Sequence, residues 1–168
     1  LEATMRIDEA LEGVEIVVLA IPSSVILDVV DDVIPHLRPG HVLIDLAKGL
    51  APGKRLISQA IHEKLDAANK TNPLAVVTGP TIAPEAAGGV ITTALVASED
   101  ESVAMRLAET LTTQTFILHA ASDPVGAELW GAFKNVIALT CGLVDGLKKV
   151  GTLGRDNLKA AIFMAGFK

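Results

Sequence analysis

From residue 7 to residue 121 the chain alternates short apolar runs with amphipathic stretches; beyond that its pattern is helical only. Ile7-Asp8-Glu9-Ala10-Leu11 has a short helical pattern that ends at Gly13. Val14 to Ile21 is a nearly continuous apolar run, which reads as a strand buried on both faces of a parallel sheet. Pro22 stops it, and Ser23 or Ser24 is placed to cap a helix to about Leu37. Arg38-Pro39-Gly40 turns the chain into a second strand, His41 to Ala47. A helix from about Lys54 to Ala68 follows, then strands at Leu74–Thr78 and Ile91–Ala97. Ser98-Glu99-Asp100-Glu101 fits a capping box opening a helix to about Leu111, and Thr115–His119 reads as a fifth strand. Strands and helices in alternation predict an α/β fold with a mostly parallel sheet.

The composition changes at Ser122. Asp123 to Gly146 predicts one long helix, with Asp123 capping its free amides and Pro124 at the first helical position. Leu129, Phe133, Val136, Ile137, Val144 and Leu147 form an apolar stripe along it. Ala127, Gly131, Lys134, Ala138, Cys141 and Gly142 form another face, small throughout except for Lys134. Small neighbours leave room for a ligand to reach the ammonium, and desolvation there would lower its pKa into the range of a proton carrier. The alternative is a helix packed closely on a neighbour, with the lysine reaching to water. A further helix is predicted from Asp156 to Phe167. The division is a sheet domain over 1–121 and the start of a helical domain over 122–168.

The 168 residues are half hydrophobic and carry a formal net charge of −6, so the chain is globular, and no basic stretch suits nucleic acid. Cys141 is the only cysteine, which excludes an internal disulfide and fits a reducing cytoplasm. The four histidines lack metal-ligand spacing, and no metal site is expected. No apolar run approaches the length of a membrane span.

In open α/β sheets ligands bind beyond the carboxyl ends of the strands. Two segments fall there. Ala47-Lys48-Gly49 could bring positive charge to an anionic substrate; otherwise Lys48 is a solvated loop lysine. Thr78-Gly79-Pro80-Thr81-Ile82-Ala83-Pro84-Glu85 has a glycine where a ligand can approach the backbone; otherwise it is a turn before a helix. No G-x-G-x-x-G follows a strand, and no serine stands in a nucleophile elbow.

Val17 to Ser23, Ala47-Lys48-Gly49-Leu50, Gly79 to Glu85, Gly131 to Val136 and Asp156 to Ala161 occur in one order along the chain. In that order they resemble the NAD(P)-dependent glycerol-3-phosphate dehydrogenases, over nearly all of the sequence. The resemblance implies a Rossmann-like dinucleotide-binding part over 1–121, a helical substrate part over 122–168, and NAD or NADP as cofactor. It implies hydride transfer between sn-glycerol 3-phosphate and dihydroxyacetone phosphate, in supply of glycerophospholipid precursors. Lys134 would be the general base, and in reverse the acid. Lys48 would contact substrate and cofactor and steady charge on the C2 oxygen. Gly79, Thr81 and Asn135 would hold the substrate, and Ala83 would pack at the cofactor.

The family's glycine-rich loop would lie upstream of Leu1, and its later Asp and Arg-Asn segment downstream of Lys168. The 168-residue chain alone is therefore expected to be inactive and to bind NADH weakly, which calorimetric titration checks. Its cut sheet and unfinished helical part are expected to expose apolar surface and favour a homo-oligomer. A β-hydroxyacid or 6-phosphogluconate type dehydrogenase is the competing enzyme reading. Those families place lysine and asparagine about one helical turn apart, whereas Asn135 directly follows Lys134. A non-catalytic interaction module is the third reading; it leaves Lys48, Gly79, Thr81 and Lys134 without a shared reason.

Overall fold

A computed structural model describes residues 2–146 and 155–166. The chain divides into two compact units, Leu1–Gly131 and Ala132–Lys168. The first unit is a five-stranded sheet in the order β1-β2-β3-β4-β5. Its strands are β1 (Ile16–Leu19), β2 (Val42–Asp45), β3 (Leu74–Thr78), β4 (Thr92–Ser98) and β5 (Phe116–Ala121). Pairing is parallel throughout except between β3 and β4, which run antiparallel. The fold is Rossmann-like α/β with a helical C-terminal part, as the alternating pattern predicts.

Helices cover both faces. Leu43 packs with Ile26, Val30, Ile57, Ile61 and Leu65 of α2 (Ile26–Val33) and α3 (Ile57–Ala67). Its neighbours Val42 and Ile44 point the other way, packing with Val103 and Leu107 of α5 (Glu101–Leu111). That period of two buries all four residues of β2. In β1, Val18 is 48% exposed, on a face that the described residues leave open.

Helix starts also depart from the sequence reading. Neither Ser23 nor Ser24 caps α2; the Val25 amide bonds back to the Pro22 carbonyl, and the helix begins at Ile26. It loosens into a 3-10 turn at Ile34–His36, where Pro35 has no amide to continue the ladder. Ser98 is the last residue of β4 and donates to the Leu74 carbonyl at 2.9 Å, so it is not the cap of α5. Asp100 is, accepting from the Ser102 amide at 2.9 Å. The short helices α1 (Ile7–Ala10) and α4 (Ala83–Ala87) complete the elements before the C-terminal pair.

α6 (Pro124–Gly146) is one helix of 23 residues, and Asp123 Oδ1 accepts from the Gly126 amide at 2.8 Å as expected. By length and composition α6 is apolar enough to cross a membrane, which corrects the expectation that no stretch reaches that length. Its hydropathy is spread over small and aliphatic residues rather than gathered in one run. In the second unit, Lys159 of α7 (Arg155–Gly166) reaches Asp145 of α6 at 3.0 Å. Leu139, Leu143 and Met164 are at least 65% exposed there, the apolar surface expected of this part. Leu147 and Phe167 lie outside the described residues.

Candidate active site

The carboxyl ends of β2 and β3 carry the two segments singled out by sequence. Lys48 is exposed in the loop after β2, and Thr81 is half-buried in the loop after β3. They meet: Lys48 Nζ lies 3.5 Å from Thr81 Oγ1, a long hydrogen bond that a small bound group could replace. Ala83 is the exposed first residue of α4, two positions beyond Thr81.

Gly79 is buried, and its glycine answers to packing. A Cβ there would sit 2.8 Å from Ala94 Cα and 2.9 Å from the Thr93 carbonyl oxygen, so β4 takes the space a side chain would need. At Gly131 a Cβ would meet the Thr78 side chain at its Oγ1 instead of backbone. The Thr78 hydroxyl is buried and, among the described residues, has no hydrogen-bond partner.

A cleft of about 520 Å³ opens between the ends of β1 and β2, lined by Ala20–Ser23 and Leu46–Lys48. Its walls are mainly apolar, with the Lys48 cation at one side. Gly49 stands at φ +156°, and a Cβ there would lie 2.8 Å from Ser23 Oγ, so only glycine leaves this corner open. An apolar cleft with one cation, past the ends of parallel strands, lies where open α/β sheets take their ligands.

Two acidic residues missed by sequence reasoning lie beneath these loops. Asp45 ends β2 at 2% exposure, and its Oδ1 accepts from the Ala47 amide at 2.7 Å. Glu128, 5% exposed near the start of α6, lies against the first turn of α3. Its Oε1 accepts from the Ile57 amide at 2.5 Å, and its Oε2 accepts from the Ser58 amide at 3.3 Å and from the Ser58 hydroxyl. α3 has no side-chain cap of its own, since Leu56 stands at that position; Glu128 supplies one from 71 residues away. Asp45 carried a signal, a lone acid closing an apolar run. Glu128 carried none.

Burial pushes the Asp45 carboxyl up to about 7; the Ala47 amide opposes this, and the nearby Glu128 carboxylate adds a further upward push. The folded protein thus holds this proton more tightly than the unfolded chain, whose ordinary value is 3.8. Asp45 therefore costs stability progressively as pH rises from about 4 to about 7, and the full cost persists above that. Asp45→Asn, which cannot ionise, is expected to exceed the parent by roughly 3 kcal/mol at pH 8 while gaining little near pH 4. Denaturant titrations at the two pH values measure this, and an equal difference at both would contradict it.

Lys134 and Asn135 belong to the second unit, adjacent on α6; Lys134 is half-buried and Asn135 exposed. Among the described residues no group of His, Cys, Asp and Glu is arranged to hold a metal.

The fold defines a Rossmann-like α/β protein with a helical C-terminal part. Residues 1–104 match the N-terminal part of NAD-dependent glycerol-3-phosphate dehydrogenase, and residues 123–168 match its C-terminal part. The chain belongs to the NAD-dependent glycerol-3-phosphate dehydrogenase family. Among curated relatives, a glycerol-3-phosphate dehydrogenase [NAD(P)+] of Exiguobacterium is 39% identical over 167 residues, covering 99% of this chain and 47% of the relative. One of Shouchella clausii is 36% identical over 160 residues, covering 95% and 46%. The crystal structure of glycerol-3-phosphate dehydrogenase from Coxiella burnetii superposes with a TM-score of 0.75 at 32% identity, covering 95% of this chain and 46% of that one. The chain thus spans about half the length of the relatives it matches.

Proposed function

We propose that the protein carrying this chain moves a hydride between sn-glycerol 3-phosphate and NAD or NADP, with dihydroxyacetone phosphate as the oxidised product. The observation that carries this reading is the meeting of Lys48 and Thr81 beyond the ends of β2 and β3, both within the span that matches the family's N-terminal part. Lys134, as the neutral amine, takes the proton of the C2 hydroxyl as the C2–H bond gives up its hydride; the C–O bond becomes the carbonyl and the amine becomes ammonium. The Lys48 ammonium steadies the negative charge that gathers on the C2 oxygen as its proton leaves. Gly79, Thr81 and Asn135 hold the substrate. Lys48 and Ala83 face the cofactor, which when bound supplies the hydride acceptor. In the reverse direction Lys134 returns the proton.

Residues 1–121 serve as part of a dinucleotide-binding domain and 122–168 as part of a helical substrate domain. The two matched segments, ending at 104 and beginning at 123, support that division. The exposed apolar residues of α6 and α7 support a homo-oligomer; the names of the matched relatives support a small phosphorylated substrate, and the single cysteine supports action in the cytoplasm. In the full-length protein, NAD(P)H formation with glycerol 3-phosphate is expected to exceed that with 6-phosphogluconate by about a hundredfold or more in kcat/KM. Preference for 6-phosphogluconate, or no reduction with either, would overturn the proposal.

A further inference from the structure

Asp45 plays no part in the proton and charge transfers above, and it sits where a carboxyl is costly. It closes a fully buried strand, and the Glu128 carboxylate on α6 lies near enough to bear on it. A leucine would fill this strand end without burying a polar group. What the carboxyl adds is one acceptor: Oδ1 holds the Ala47 amide at 2.7 Å, two residues along and immediately before Lys48. A side chain that takes the amide two residues on makes a tight turn, and the turn sets the direction in which the chain leaves the strand.

We propose that Asp45 is a positioning residue for Lys48: by bracketing the Ala47 amide it fixes the exit of the loop from β2, and with it the reach of the Lys48 ammonium to Thr81. The proposal rests on the reading above that Lys48 meets the substrate. The acceptor matters and the charge does not, because the Ala47 amide can be received by a carboxylate, a carboxylic acid or a side-chain amide alike. The ionisable group that bears on Asp45 is Glu128, from α6.

The test uses the full-length protein with Asp45→Leu, which removes the acceptor, and Asp45→Asn, which keeps it, each alone and combined with Lys48→Ala. Asp45→Leu is expected to speed hydrogen exchange of the Ala47 and Lys48 amides about tenfold. It should also raise the KM for glycerol 3-phosphate about tenfold while changing kcat less than about threefold. Asp45→Asn should keep both quantities within about threefold of the parent. In the Lys48→Ala background Asp45→Leu should add less than about twofold to KM, because its effect runs through that lysine. Should the leucine variant fail to fold, Asp45→Ala removes the same acceptor without filling the site and is read in the same way. Unchanged exchange of the Ala47 amide overturns the proposal, as does a KM effect that multiplies in full with that of Lys48→Ala. Amide exchange needs no turnover, so a parent protein inactive on glycerol 3-phosphate would sink the functional reading while exchange still decides the role of Asp45.

Discussion

Replacing Lys134 by alanine in the full-length protein is expected to lower kcat for glycerol 3-phosphate oxidation about a thousandfold, the usual worth of a positioned proton acceptor. Lys134→Arg should fare little better. A guanidinium keeps the positive charge but does not give up its proton in the working range, so it cannot act as the base. The pair separates proton transfer from simple attraction of the substrate phosphate: loss of charge alone would spare the arginine variant. Turnover of either variant within about tenfold of the parent, with the fold intact by circular dichroism, would remove Lys134 from the mechanism.

Glu128→Ala is expected to cost about 3 kcal/mol of folding stability, the toll of leaving buried donors without an acceptor. For a chain of this size that lowers Tm by roughly 6–12 °C. The Ile57 and Ser58 amides and the Ser58 hydroxyl all lose their partner at once, at the first turn of α3. Part of the loss is offset, because the Glu128 carboxylate no longer bears on Asp45. Above pH 7, where Asp45 is ionised, that offset is largest and the net loss smallest. Thermal melts at pH 5 and pH 8 would show it; a larger loss at pH 8 would contradict the proximity of the two carboxyls.

Much of the sheet was legible because burial on two faces leaves a local mark. Leu74-Ala75-Val76-Val77-Thr78 reads as a strand from its own residues, and it spans β3 without a residue to spare. The apolar run of Val14–Ile21 carries the same mark and yields β1, shorter than the run by two residues at each end. Helix boundaries failed where a nearer partner competed: the Pro22 carbonyl took the Val25 amide, and Leu74 took the Ser98 hydroxyl. In the site, the rule that ligands gather beyond strand ends was enough to single out Lys48 and Thr81. Their meeting needed the register of β2 and β3. The cap on α3 was beyond any local reading, since nothing near Leu56 shows that a glutamate 71 residues on will serve its neighbours.

The separation between α3 and its cap also has a consequence during synthesis. A ribosome adding about 5–20 residues per second needs roughly 4–14 s to travel the 70 residues from Ser58 to Glu128. Throughout that interval the nascent α3 carries an unfinished first turn, which water or a chaperone must occupy. The contact between α3 and α6 is therefore completed only when the opening of α6 emerges, and a stall within that window would leave a sheet already built but not yet latched.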